Sequence, residues 1–82
     1  MSTKRRKLNE LKRHEAGRVC GFASHNDAMV IKLREIGFAE GDEVEVLGRG
    51  LIGGTPISVR LNQTVIALRI PEAGLVEVDL TP

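Results

Sequence analysis

Cys20, His14 and His25 are the side chains best suited to ligate a soft metal or to act as nucleophile and base, so any reactive chemistry would start with them. A structural zinc site takes four ligands in paired short spacings such as Cys-x-x-Cys. This chain has a single cysteine and no such pairing. A catalytic cysteine needs a neighbour that stabilises its thiolate and a base held by a third group. No local signature ties either histidine to Cys20, which lies in an apolar strand-like run where a free thiol acts as a small hydrophobe. His14 and His25 read as loop residues. Glu40, Asp42, Glu43 and Glu45 bracket a turn and a strand start, the composition of a solvated face. The expectation is a protein without catalysis, without a metal site of its own and without a cofactor.

Gly48-Arg49-Gly50-Leu51-Ile52-Gly53-Gly54 invites comparison with a phosphate-cradling loop. It lacks the Lys-Ser/Thr of a Walker loop, and no helix follows whose amino terminus would hold a phosphate. The glycines instead suit a hairpin loop or bulged corner that needs unusual backbone angles. Leu51 and Ile52 are the odd feature of this stretch. Two adjacent large apolar residues at a glycine-rich tip either fold back over the body or stand exposed for a partner, and sequence leaves both open.

Composition narrows the partners. There are two phenylalanines, no tyrosine and no tryptophan. Single-stranded nucleic acid and proline-rich peptides are both held on aromatic platforms, so neither is an expected specific ligand. The net charge of +1 hides a split: residues 1–13 carry +5 and the remainder −4. A basic arm can bind phosphate polymers by counterion release, or it can be a solvated terminus. Residues 1–7 are taken as a basic flexible leader and 8–82 as one domain.

At 82 residues, 41% apolar and 28% charged, the chain suits one small soluble core. The lone cysteine points to a reducing compartment. Apolar runs such as Val65–Leu68 fall far short of the ~20 residues that cross a bilayer. The basic amino terminus lacks the apolar stretch of a secretory signal. Together these imply a cytoplasmic protein with no direct membrane insertion.

The elements that would position these residues follow from periodicity. Leu8 and Leu11, spaced i, i+3, suit a single turn over one end of a core. Arg18–Phe22 reads as a strand, with Val19 and Gly21 on one face and Cys20 and Phe22 on the other. Ser24, Asn26 and Asp27 offer helix caps, and Met29, Leu33 and Ile36, broadened by Val30, form one apolar stripe. Gly37 fits the residue just past the helix, with Phe38 packing back onto Leu33. Gly41 sits in the following turn. Glu43–Val46, Ile57–Leu61, Val65–Arg69 and Leu75–Leu80 read as further strands, with a 3₁₀ turn at Pro71–Ala73. Five strands and one helix suggest a small closed sheet, whose closure removes exposed edges.

Three segments carry a resemblance: Leu33-Arg34-Glu35-Ile36-Gly37-Phe38-Ala39-Glu40-Gly41, then Gly54-Thr55-Pro56-Ile57, then Ala67-Leu68-Arg69. In that order they resemble the ferrous iron transport protein A family, FeoA, over about residues 8–80. The family pattern is roughly Arg-Leu-x-Glu-Leu-Gly-x-x-x-Gly, Gly-x-Pro-Ile and Ala-Leu-Arg. The chain departs from it where relatives follow Leu-x-x-Leu with a Pro-Gly turn, since Arg13-His14 stands there. The resemblance implies a mainly β fold, a small SH3-like β-barrel with one short helix inserted between the first two strands. It also implies an accessory role in ferrous iron uptake through the cytosolic GTP-binding part of the permease FeoB. Arg49, Leu51, Ile52 and Arg69 are the expected contact residues, and Gly37, Phe38, Gly41, Gly54 and Pro56 the structural turns and caps. Arg69 has the alternative role of an ion pair with Glu72 or Glu35. The same unit resembles the carboxyl-terminal domain of iron-dependent repressors, so a free-standing regulatory module is a second reading. A nucleic-acid-associated barrel is a third, and self-association stays open.

Overall fold

Apolar residues at every second position build the sheet, and glycines make the hairpin turn at Gly53 and Gly54 and the turns at Gly37 and Gly41 that lead from the helix into the next strand. A computed structural model describes residues 4–24 and 27–80. In chain order the elements are β1 (Lys4–Lys7), a 3₁₀ turn (Leu8–Glu10), β2 (Ala16–Phe22), α1 (Ala28–Ile36), β3 (Glu43–Ile52), β4 (Thr55–Leu61), β5 (Thr64–Leu68), α2 (Ile70–Ala73) and β6 (Val76–Leu80). All pairings are antiparallel, in one sheet of order β1-β6-β2-β3-β4-β5. Val44 and Val46, Ile57, Val59 and Leu61, and Val76 and Val78 face a common core, as their alternation requires. Leu8 and Leu11 are buried against it from the 3₁₀ turn, as expected of a lid.

The chain between β2 and β3 shows how local signals fix geometry. Asp27 caps α1, its carboxylate accepting the Met29 N–H at 2.7 Å. Gly37 ends the helix at φ 129°, where an L side chain is strained. The Phe38 N–H then donates to the Leu33 carbonyl at 3.0 Å, and the ring is buried. Gly41, at φ 96°, turns the chain so that its N–H reaches the Val19 carbonyl at 2.7 Å. His14 adopts φ 72°, so the backbone makes a glycine-like bend there without glycine.

Several expectations are corrected. Lys4–Lys7 is not a free leader but strand β1, registered against β6 from Lys4–Leu80 to Lys7–Glu77. Backbone groups make that pairing, which is why a run of four cations gave no hint of it. Met1–Thr3 lie outside the described residues. With β1 in place, α1 follows the second strand instead of the first. Among the described residues no pairing joins β1 to β5, so the sheet has two edges.

Alternation also fails in β2, because the register shifts between Val19 and Gly21. Cys20 is the extra residue of that bulge, which sends both Val19 and Phe22 inward. In α1 only Val30 and Leu33 are buried, while Met29, Ile31 and Ile36 are exposed. The nine-residue helix meets the core along a narrow line, so the wider stripe faces out. Pro71–Ala73 belongs to a short α-helix starting at Ile70.

Candidate protein-docking surface

The reactive-looking side chains are dispersed or engaged. Burial, and then the Asp79 carboxylate beside it, push the Cys20 thiol above its ordinary pKa, the reverse of what a nucleophile needs. Glu43 pairs with Arg18 at 3.3 Å, Glu40 with Arg34 at 3.2 Å, and Glu45 with Arg60 at 3.2 Å and His14 at 3.7 Å. Asp42 accepts the Ala39 N–H at 3.0 Å, which stiffens the turn before β3. Among the described residues no three His, Cys, Asp or Glu side chains converge on a metal-sized site. His25 lies outside the described residues.

The glycine-rich stretch is strand for most of its length. β3 runs to Ile52 and returns as β4 from Thr55, and only Gly53 and Gly54 turn, at φ 66° and 75°. Positive φ at both central residues is the two-residue hairpin geometry that matches strand twist, and it requires glycine. The register shifts between Val46 and Gly48 and again between Arg49 and Ile52, so the hairpin is bulged as well as long. Gly50 lies so close to β4 that a Cβ would collide with the Thr55 carbonyl. Pro56 follows a cis Thr55–Pro56 bond. Leu51 is fully exposed and Ile52 86% exposed, which resolves the open alternative in favour of solvent.

Two arginines flank the base of this hairpin but differ in use. Arg49 turns its guanidinium back onto the lid, donating to the carbonyls of Asn9 and, at 3.0 Å, Leu11. Arg49 faces Ile57 across the ladder and Ile57 faces Leu68, which precedes Arg69. Arg69 makes no ion pair among the described residues. The Glu72 carboxylate accepts its backbone N–H at 2.9 Å and pairs instead with Lys32 at 3.9 Å. Beside Arg69 a shallow groove is lined by Lys32, Ile36, Pro56, Ala67 and Glu72. Sequence reasoning missed Ile36 as a surface residue because it fell on the apparent helix stripe. Ile31, off that stripe, was the available sign that α1 presents apolar surface outward.

Adjacent exposed leucine and isoleucine at the end of a bulged hairpin stand near an unpaired arginine and a groove with apolar lining, the composition of a candidate contact surface. The family model for the FeoA domain matches residues 6–80. A zinc-complexed FeoA of Stenotrophomonas maltophilia, described as a prokaryotic SH3 domain protein and put forward as a ferrous iron transport activating factor, is 40% identical. The match covers 96% of this chain and 91% of that one, with a TM-score of 0.75. A FeoA-like protein of Clostridium acetobutylicum is 26% identical over 100% of this chain and 92% of that one, at a TM-score of 0.87. A manganese-dependent transcriptional repressor shares the fold at 22% identity and a TM-score of 0.84 over 99% of this chain and 44% of that one. No curated protein sequence matches the chain.

Proposed function

The chain belongs to the FeoA domain family, and from that premise we propose that it docks on the cytosolic GTP-binding part of a FeoB-type permease and biases its conformation. The family is implicated in ferrous iron transport, and the fold is its SH3-like domain. No helix among the described residues is long and apolar enough to cross a membrane. In this reading the protein works in the cytoplasm and neither carries iron nor hydrolyses nucleotide. It acts by preferring one state of its partner, which is all that conformational coupling requires.

The exposure of Leu51 and Ile52 carries the proposal. Both side chains stand on a paired hairpin, so little conformational entropy is lost when they are buried in a partner's pocket. Arg69 supplies an unpaired cation near the same hairpin base, suited to steering an acidic patch. Arg49, engaged with the lid, holds the hairpin in place.

Binding of the purified protein to the permease's cytosolic domain, titrated with GDP, with a GTP analogue and without nucleotide, tests this. The expected result is saturable binding whose affinity depends on the nucleotide and weakens with salt when Arg69 is present. Equal affinity in all three states would remove the coupling, and no binding would remove the partner.

A further inference from the structure

The two edges of the sheet are built differently. β1 exposes four cations in a row, and charge along an edge discourages another strand from pairing there. β5 has the sequence Thr64-Val65-Ile66-Ala67-Leu68, with no charge, and pairs only with β4 among the described residues. Across the two-residue turn at Asn62 and Gln63, Leu61 faces Thr64, and the register continues as Val59–Ile66 and Ile57–Leu68. In an antiparallel ladder closed by such a turn these facing pairs exchange backbone hydrogen bonds. Val65 and Ala67 therefore turn their N–H and C=O groups away from β4. Arg69, the next residue of that set, gives its N–H to Glu72 and ends the free edge.

From this free edge we propose that β5 pairs antiparallel with β5 of a second copy of this chain, about a two-fold axis at Ile66. The symmetric register that pairs the outward groups of both Val65 and Ala67 with each other sets Val65 of one copy opposite Ala67 of the other, and both such pairs exchange two hydrogen bonds. No like charges meet in that register, because Arg69 comes opposite the neutral Gln63. Val65 is 60% exposed in the single chain. In the pair its side chain lies beside Ala67 of the second copy, at the groove lined by Ile36 and Pro56. The contact is short, so the dimer is reversible and populated at high protein concentration.

Sedimentation equilibrium from about 10 µM to about 1 mM, paired with amide hydrogen exchange at both ends of that range, tests the pairing. Expected are a monomer–dimer equilibrium and slower exchange at Val65 and Ala67 on concentration, with the amide of Arg69 unchanged. Val65→Lys, its fold verified by circular dichroism, weakens the dimer about tenfold. Leu51→Ser/Ile52→Ser leaves it intact. A monomer at every concentration overturns the proposal, as does a dimer that responds to the Leu51 and Ile52 changes but not to Val65→Lys. Protection of Val65 and Ala67 only on adding the permease domain would assign the edge to a different strand, and also overturns it.

Discussion

Phe38 and the Leu51–Ile52 pair are large apolar residues beside glycines at positive φ, yet one is 1% exposed and the others stand in solvent. Gly37 returns the chain onto α1, and the Phe38 ring completes the core against a helix that is already there. Gly53 and Gly54 reverse a two-stranded ribbon that has run past the core, so the residues before them have nothing to pack on. Glycine supplies the bend in both places. What lies on the inside of the bend decides whether the neighbour stabilises the fold or is left for something else to bury.

Removing the ring at the first bend has the largest expected effect. Phe38→Ala opens a cavity in a domain with few core residues and lowers stability by about 3–5 kcal/mol. That is comparable to the whole folding free energy of a marginal domain, ~5 kcal/mol. Urea unfolding should show a protein partly unfolded before denaturant is added. Leu51→Ala, judged by the same measurement, moves the midpoint by no more than about 0.5 kcal/mol.

Next in size are changes that separate bend from ribbon. Gly50→Ala forces a methyl into the Thr55 carbonyl, and backbone cannot yield as a side-chain tip does. A loss of about 1–3 kcal/mol is expected, with amide shifts confined to Arg49–Ile57. Gly48→Ala is the control, since nothing lies within 4 Å of its Cβ position and its φ is unremarkable. A loss there equal to that at Gly50 would refute the close-approach account. Arg49→Ala removes the donors that tie β3 to the carbonyls of Asn9 and Leu11, at about 1–2 kcal/mol. Arg49→Lys should not restore it, because an ammonium lacks the planar fork that spans two carbonyls.

The same contrast explains what was legible in the sequence. Gly37 with Phe38 could be read because a helix end obeys local rules, and the inward strand residues because alternation against one core is also local. β1 could not be read, since an edge strand that buries no side chain leaves no apolar pattern. The Cys20 bulge was hidden because one inserted residue inverts the facing of everything on one side of it. The α1 stripe misled because periodicity gives the angular spacing of apolar residues and not how much of the helix the core reaches. At the proposed docking surface, Leu51 and Ile52 stood out by type, but their exposure depended on β3 and β4 outrunning the core. The role of Arg49 depended on Leu11, 38 residues away, and that of Arg69 on Glu72 pairing with Lys32 instead.

The smallest expected effect on the fold belongs to the pair proposed to make the contact. In Leu51→Ser/Ile52→Ser the side chains leave solvent for solvent, the two-residue turn is untouched, and the paired β3–β4 backbone keeps its hydrogen bonds. Unfolding should therefore shift by less than about 0.5 kcal/mol, as for Leu51→Ala. Affinity for the permease's cytosolic domain should fall at least about tenfold, as for apolar anchors that a partner desolvates. The informative quantity is the ratio of the two effects. A large loss of stability with unchanged binding would mean the hairpin tip belongs to the fold after all, and would place docking elsewhere, with the Ile36–Pro56–Ala67 groove and the exposed Met29 and Ile31 of α1 as the next apolar surfaces to test.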